Sequence, residues 1–190
     1  MKIAVICEFS GIVRDAFIKA GHEAISFDLL PTEQPGPHRQ GDIKELPPEY
    51  WKQFDIAILH PPCTYLAVSG VRWWKGRQQE QQEAIEFVKW CMNLPIDKIA
   101  IENPIGKLST AIRKPDQIIQ PYMFGDPYQK ATCLWLKNLP KLEPTNIVEG
   151  REQKCWKEPP GPERWKNRSR TYQGIAEAFA SQWGSCHARP

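Results

Sequence analysis

The chain has 190 residues, of which 41% are hydrophobic and 25% charged, with a formal net charge of +3. That length supports one sizeable core and a single domain over residues 1–190, while so small a net charge does not by itself specify a polyanionic partner. No apolar stretch approaches the roughly 20 residues of a membrane span, and six scattered cysteines with no CxxC pair argue against a disulfide scaffold.

Strand and helix signals alternate along the chain. Lys2 to Cys7 is a β-prone apolar run, followed by a turn at Glu8-Phe9-Ser10-Gly11. Val13, Ala16, Phe17 and Ala20 have helical spacing, closed by Gly21. His22 to Phe27 reads as a second strand ending in Asp28, and the Pro- and Gly-rich stretch Leu30 to Gln40 reads as a loop. Gly41-Asp42-Ile43 reads as the end of a short third strand, Pro47 to Gln53 as a short helix, and Asp55 to Leu59 as a strand. Gln78 to Asn93 is the clearest helix, with Ala84, Val88 and Cys91 on one face and Ile85, Val88 and Met92 beside them. Lys98 to Ile101 and Thr132 to Leu136 read as two further strands. Glu143 to Ser169 shows little periodicity, and Gln173 to Trp183 is helical again. This alternation predicts an α/β, Rossmann-like, doubly wound and mostly parallel sheet.

In such sheets ligands bind beyond the carboxyl ends of the strands. The segment Leu59-His60-Pro61-Pro62-Cys63-Thr64 stands at one such end. Two prolines stop the pairing and stiffen the exit, so Cys63 is presented rigidly as a candidate nucleophile. His60, separated from the thiol by both prolines, is not expected to point at it. Ile101-Glu102-Asn103-Pro104 places a carboxylate and an amide at the end of another strand. Gly11 allows close backbone approach with a helix start facing it. Asp28 is suited to ribose hydroxyls, and Asp42 to an adenine amino group. Cys7 and Cys91 read as core positions. Arg72-Trp73-Trp74-Lys75 is basic and aromatic, and Arg151 to Arg170 holds seven Lys/Arg against three Glu. Cys186-His187, adjacent residues near the chain's end, make a poor zinc ligand set, so no metal is expected. Met1-Lys2 leads straight into a strand, so no signal peptide and a cytoplasmic location are expected.

Taken in order, FSG, Asp28, GDI, PPCxxxxxSG and IENP resemble the DNA cytosine-5 methyltransferase family, in particular its short phage and prophage forms. The resemblance covers roughly Lys2 to Leu108 and, more weakly, Arg170 to Trp183. It implies S-adenosylmethionine as cofactor, held by Phe9, Ser10, Gly11, Asp28, Asp42, Ile43 and Pro61. It also implies methyl transfer to carbon 5 of cytosine in DNA, with Cys63 as nucleophile, a protonated Glu102 at ring nitrogen 3, and Asn103 orienting the Cys63 loop. Arg72, Trp73, Trp74 and Lys75 fall where the family carries a mobile catalytic loop. Lys130 is the nearest stand-in for its base-contacting arginines.

The sequence departs from the family pattern at Val13 and Arg14, which replace glycines, at Cys7, which replaces an acidic residue, and at Thr64, which replaces Gln. Residues 142–170, a basic Pro-rich loop, are too short for a target-recognition domain. Sequence specificity is then slight, or supplied by a protein partner. Two alternatives remain: the same chemistry on a pyrimidine nucleotide or single strand, and a catalytically weak cofactor- or DNA-binding phage protein.

Overall fold

The computed structural model describes residues 1–185; Cys186 and His187 lie outside them. Seven strands form one sheet in the order β3-β2-β1-β4-β5-β7-β6. The strands are β1 (Lys2–Ile6), β2 (Glu23–Asp28), β3 (His38–Gln40), β4 (Ile56–Leu59), β5 (Lys98–Pro104), β6 (Gln117–Ile119) and β7 (Thr132–Lys137). β3, β2, β1, β4 and β5 run parallel, and β7 runs antiparallel to both of its neighbours. The fold is a single-domain α/β sheet of the Rossmann-like, doubly wound class.

The central strands are apolar without interruption because both faces of the sheet are covered. Successive side chains go to opposite sides. Ala4, Ile6, Ala57, Leu59, Ile99 and Ile101 join one core, with α2 (Pro48–Trp51) and α3 (Gln78–Met92) over them. Ile3, Val5, Ile56, Ile58 and Ala100 join the other, covered by α1 (Ile12–Lys19) and α7 (Gln173–Ala178). On α3, Ile85, Val88 and Cys91 are buried three residues apart, which places them on one helical face. Trp51 is buried against Phe27 at 5.2 Å between ring centroids, sealing one end of the first core.

Several boundaries differ from the sequence reading. β5 continues through Glu102, Asn103 and Pro104, because β7 pairs with it as far as Pro104↔Thr132. β3 lies inside the stretch read as loop, and Gly41-Asp42-Ile43 is no strand: Asp42 caps a 3-10 turn, Ile43–Glu45, by accepting from Lys44 N at 2.9 Å. β6 has no signal in the sequence. It is held from outside by Gln117, whose amide accepts from Leu142 N (2.8 Å) and donates to Leu142 O (2.7 Å), as a peptide group of a further strand would. A short helix, α4 (Leu108–Ala111), follows β5, and the basic tract contains two more, α5 (Lys154–Lys157) and α6 (Arg164–Ser169). The last helix, α7, widens to a π turn over Phe179–Trp183. Among the described residues no helix is long and apolar enough to cross a membrane.

Candidate active site

The carboxyl ends of β1, β2, β4 and β5 lie side by side, as their parallel registers require. His60 N bonds Ile6 O at 2.9 Å, extending the β1–β4 ladder by one rung before the prolines end it. Beyond them the chain turns tightly: Leu66 N and Ala67 N both bond Cys63 O, at 3.0 and 2.9 Å. Asn103 Nδ2 donates to Pro61 O at 2.8 Å. This buried bond ties the end of β5 to the segment that carries the thiol. Gly106 closes the arrangement through a bridge to Ala67, and a Cβ on it would stand 1.9 Å from Leu66 O. The Cys63 turn therefore rests directly on the backbone leaving β5.

Around Cys63 stand Glu102, Lys130 and Arg168. Burial raises the Cys63 thiol above its ordinary range and the Glu102 carboxylate raises it further, while Lys130 and Arg168 act in the opposite direction without reversing the outcome. The positive surroundings that a ready thiolate requires are thus present but outweighed, and Cys63 rests as a thiol. Glu102 departs from expectation in the other sense. Burial pushes its carboxyl up, but the hydrogen bond from His60 and the charges of Lys130 and His60 bring it below the usual range. A Glu102 kept protonated by burial is therefore corrected to a carboxylate held by cationic partners.

His60 is the residue that sequence reasoning passed over. As expected, no bond joins it to Cys63. Instead its Nδ1 meets Glu102 Oε2 at 3.0 Å across the β4–β5 pair. The signal was its position: the first residue beyond β4 neighbours the first residues beyond Ile101 in a parallel register, Leu59↔Ile101. Its Nε2 is buried and has no partner, as is Asn103 Oδ1.

The β1–α1 turn is built differently from a phosphate-type glycine loop. Gly11 has φ +78°, a conformation that favours glycine. The space where its Cβ would stand is filled by Arg14, whose guanidinium nitrogen would lie 2.5 Å away. The close approach that the glycine permits is thus made from inside the protein. The helix start is also taken. Glu8 Oε1 accepts from Val13 N at 2.6 Å and Glu8 Oε2 from Arg14 N at 3.2 Å, so a side-chain carboxylate occupies the place where a ligand anion was expected. Ser10 Oγ donates to the same carboxylate at 3.3 Å. Arg14 itself is fully buried. It bonds Asp15 Oδ1, Ser26 Oγ, Thr32 Oγ1, Gln34 O and Pro35 O, fastening residues 32–35 to α1.

Phe9 is buried, 5.9 Å from the ring of Trp165 on α6. Arg170, just past α6, makes a paired contact with Glu33, 2.8 Å from Nε to Oε2 and 2.6 Å from Nη2 to Oε1. Lys130 Nζ donates to Arg168 O at 3.0 Å. The basic tract is therefore folded back over the strand ends. Asp28 accepts from Leu30 N at 2.9 Å, and burial raises its carboxyl. Ile43 is buried beneath Asp42.

Arg72 and Trp73 lie on a 3-10 turn, Val68–Trp73, with Arg72 5.0 Å from the Trp73 ring centre. With Trp74, Lys75, Thr64 and Tyr65 they line an open groove of about 390 Å³ that begins next to Cys63. Trp73 is 69% exposed.

No family model matches the chain, and no curated protein matches it. Among solved structures, one that resembles it is the crystal structure of a Spodoptera frugiperda DNMT2 mutant, at 14% identity and a TM-score of 0.48, with 78% of this chain and 57% of that chain covered. The chain thus spans less than two thirds of that protein's length.

Proposed function

We propose that this chain transfers a methyl group from S-adenosylmethionine to carbon 5 of cytosine in DNA, through a covalent bond to Cys63. The observation that carries this reading is the convergence of Cys63, Glu102, Lys130 and His60 beyond β4 and β5, with the thiol's turn clamped by Asn103. A thiol and a carboxyl group so placed suit a ring that must be attacked at one carbon and accept a proton at a nitrogen.

The residues at the other strand ends fit a nucleoside-bearing cofactor. Asp28 presents a half-buried carboxylate at the end of β2, Asp42 stands beyond β3, and His60 Nε2 is a buried polar atom without a protein partner just past β4. Asp28 would hold ribose hydroxyls, Asp42 the adenine amino group, and Phe9 and Pro61 the apolar faces, with Ser10, Gly11 and Ile43 shaping the floor. S-adenosylmethionine, when bound, supplies an electrophilic methyl group.

The chain's own residues supply the rest. Cys63 gives its proton to solvent, and its sulfur adds to carbon 6 of the ring. The Glu102 carboxyl group hydrogen-bonds ring nitrogen 3, where electron density accumulates. Carbon 5 becomes nucleophilic and takes the methyl group. Loss of the carbon 5 proton and departure of Cys63 restore the aromatic ring. Lys130 holds negative charge near both groups. A cytosine within a duplex must first leave the stack, at about a few kcal/mol, and Trp73 and Trp74 would fill the gap.

Incubation with tritiated S-adenosylmethionine and DNA, followed by mass spectrometry of the nucleosides, is expected to give 5-methylcytosine. Asp28→Ala is expected to weaken cofactor binding about 10- to 100-fold in calorimetry, the worth of a hydrogen bond to a charged group. Cofactor binding without any methylated product would leave a binding protein in place of an enzyme.

The second reading keeps the chemistry and replaces duplex DNA by a single strand, favoured by the exposed rings of Trp73, Trp156 and Trp165 among basic neighbours. Affinity should then fall with salt along a log–log slope of about −0.7 per phosphate contacted, against about −0.9 for a duplex. Affinity that stays flat between 50 and 200 mM salt, roughly the range over which such contacts are lost, would mark Arg72, Lys75 and the basic tract as merely solvated.

A further inference from the structure

We propose that His60 and Glu102 work as one acid, a dyad sharing a single proton between His60 Nδ1 and Glu102 Oε2, and that His60 is the residue that loads the carboxyl group with the proton destined for ring nitrogen 3. This rests on the methyl-transfer reading for its substrate, but the dyad itself does not depend on it.

Four observations carry it. The two side chains meet at 3.0 Å and both are largely buried, at 9% and 14% exposure. No other hydrogen bond reaches either atom set: His60 Nε2 is buried and without a partner, and the Glu102 carboxylate receives only His60 among the described side chains. The cations and acids around the pair are few. Lys130 precedes β7 and faces Glu102, Cys63 and Cys133 lie on its thiol side, and Glu8 and Asp28 from β1 and β2 lie within reach of the His60 charge. Finally, Glu102 rests as a carboxylate, so without a second group it carries no proton to give near neutrality.

Imidazole is the side chain that holds and releases a proton in that range. The Nδ1–H bond breaks and an O–H bond forms on Glu102, leaving neutral imidazole with its proton on Nε2. As the Cys63 sulfur bonds to carbon 6, the ring's electrons move toward nitrogen 3, the O–H bond breaks and an N–H bond forms. Glu102 is left as a carboxylate, and the proton returns to the pair when Cys63 departs. Two groups so coupled titrate as a pair, not as a separate acid and base.

His60→Asn is the informative variant, because its amide nitrogen replaces Nδ1 as a donor to Glu102 yet carries no proton that it can give up. The first measurement is the pH dependence of covalent trapping on single-stranded oligonucleotides containing 5-fluorocytosine. In the native chain the rate is expected to climb with pH as thiolate forms, then level where the pair loses its proton. In His60→Asn the levelling should come about one pH unit lower or more, with a plateau about tenfold slower. A slower plateau with an unmoved levelling point would make His60 a mere orienting group and overturn the proposal.

The second measurement needs no substrate. Nitrogen-resolved NMR of the imidazoles should show the neutral His60 ring carrying its proton on Nδ1, hydrogen-bonded toward Glu102, and this tautomer preference should be lost in Glu102→Gln. A neutral ring protonated on Nε2 in the native chain, or a preference unmoved by Glu102→Gln, would overturn the shared proton. If the native chain traps no DNA while these NMR shifts appear, the dyad stands and the cytosine reading falls.

Discussion

Cys63→Ser is expected to abolish the denaturant-stable complex between this chain and DNA containing 5-fluorocytosine, a loss of at least about 10³-fold in trapping rate. Once carbon 5 has taken the methyl group, fluorine there blocks the elimination that would release the thiol, so with cofactor present the adduct is preserved for electrophoresis. Serine keeps the size of the side chain and the turn around Leu66 and Ala67, but its hydroxyl is a far poorer nucleophile than a thiol. Because burial and Glu102 keep Cys63 a thiol at rest, trapping by the native chain should accelerate with pH until the His60–Glu102 pair gives up its proton. Glu102→Gln should slow the reaction about 10²-fold, the usual worth of general acid assistance. Cys133 is the instructive control. It pairs opposite Asn103 and senses Glu102, and burial raises it to about 11, so Cys133→Ser should leave trapping unchanged. A complex that maps to Cys133 or Cys7 would show the wrong sulfur has been named.

Arg14→Leu should produce a large loss of stability, about 3 kcal/mol, by removing the buried guanidinium that ties Ser26 Oγ, Thr32 Oγ1 and the carbonyls of Gln34 and Pro35 to α1. For a chain of this size that corresponds to a fall in Tm of about 6–12 °C. The same change at Lys19, whose nitrogen lies 3.8 Å from Glu177 on the surface, should move stability by less than about 0.5 kcal/mol. A small effect at Arg14 would mean that water replaces its partners readily.

Most of the sheet was legible because burial on both faces writes itself into the sequence. Ile3-Ala4-Val5-Ile6 and Ile56-Ala57-Ile58-Leu59 are continuous apolar runs, and no other element needs that pattern at that length. The edges were not legible. His38-Arg39-Gln40 is polar, and it is a strand only because Ser26, Phe27 and Asp28 pair with it. Glu102 and Asn103 looked like a strand's end because charge usually marks one, yet β7 carries the ladder three residues further. Such pairing depends on a segment some 30 residues away and leaves no local trace.

The site was half legible for a related reason. Cys63 and Glu102 announce themselves through the stiff prolines and the buried strands that precede them. Arg14 read as the loss of a glycine, whereas the fold uses it as an internal tie that makes Gly11 necessary. His60 was weighed only against Cys63, its neighbour in sequence. Its partner stands on the next strand, and only the register brings them together.

The sheet's two outermost strands are each three residues long. A neighbouring molecule seeking to extend the sheet would find too few open amide and carbonyl groups to template a strand of its own. On the β6 side, the Gln117 amide ties down the backbone of Leu142 next to the strand, which covers that side with the chain's own peptide. On the β3 side, Arg39 sets a positive charge on the exposed rim, repelling a like copy. A core this rich in β-forming residues is a hazard for edge-to-edge aggregation during folding. Here the hazard is contained by shortness at the margins.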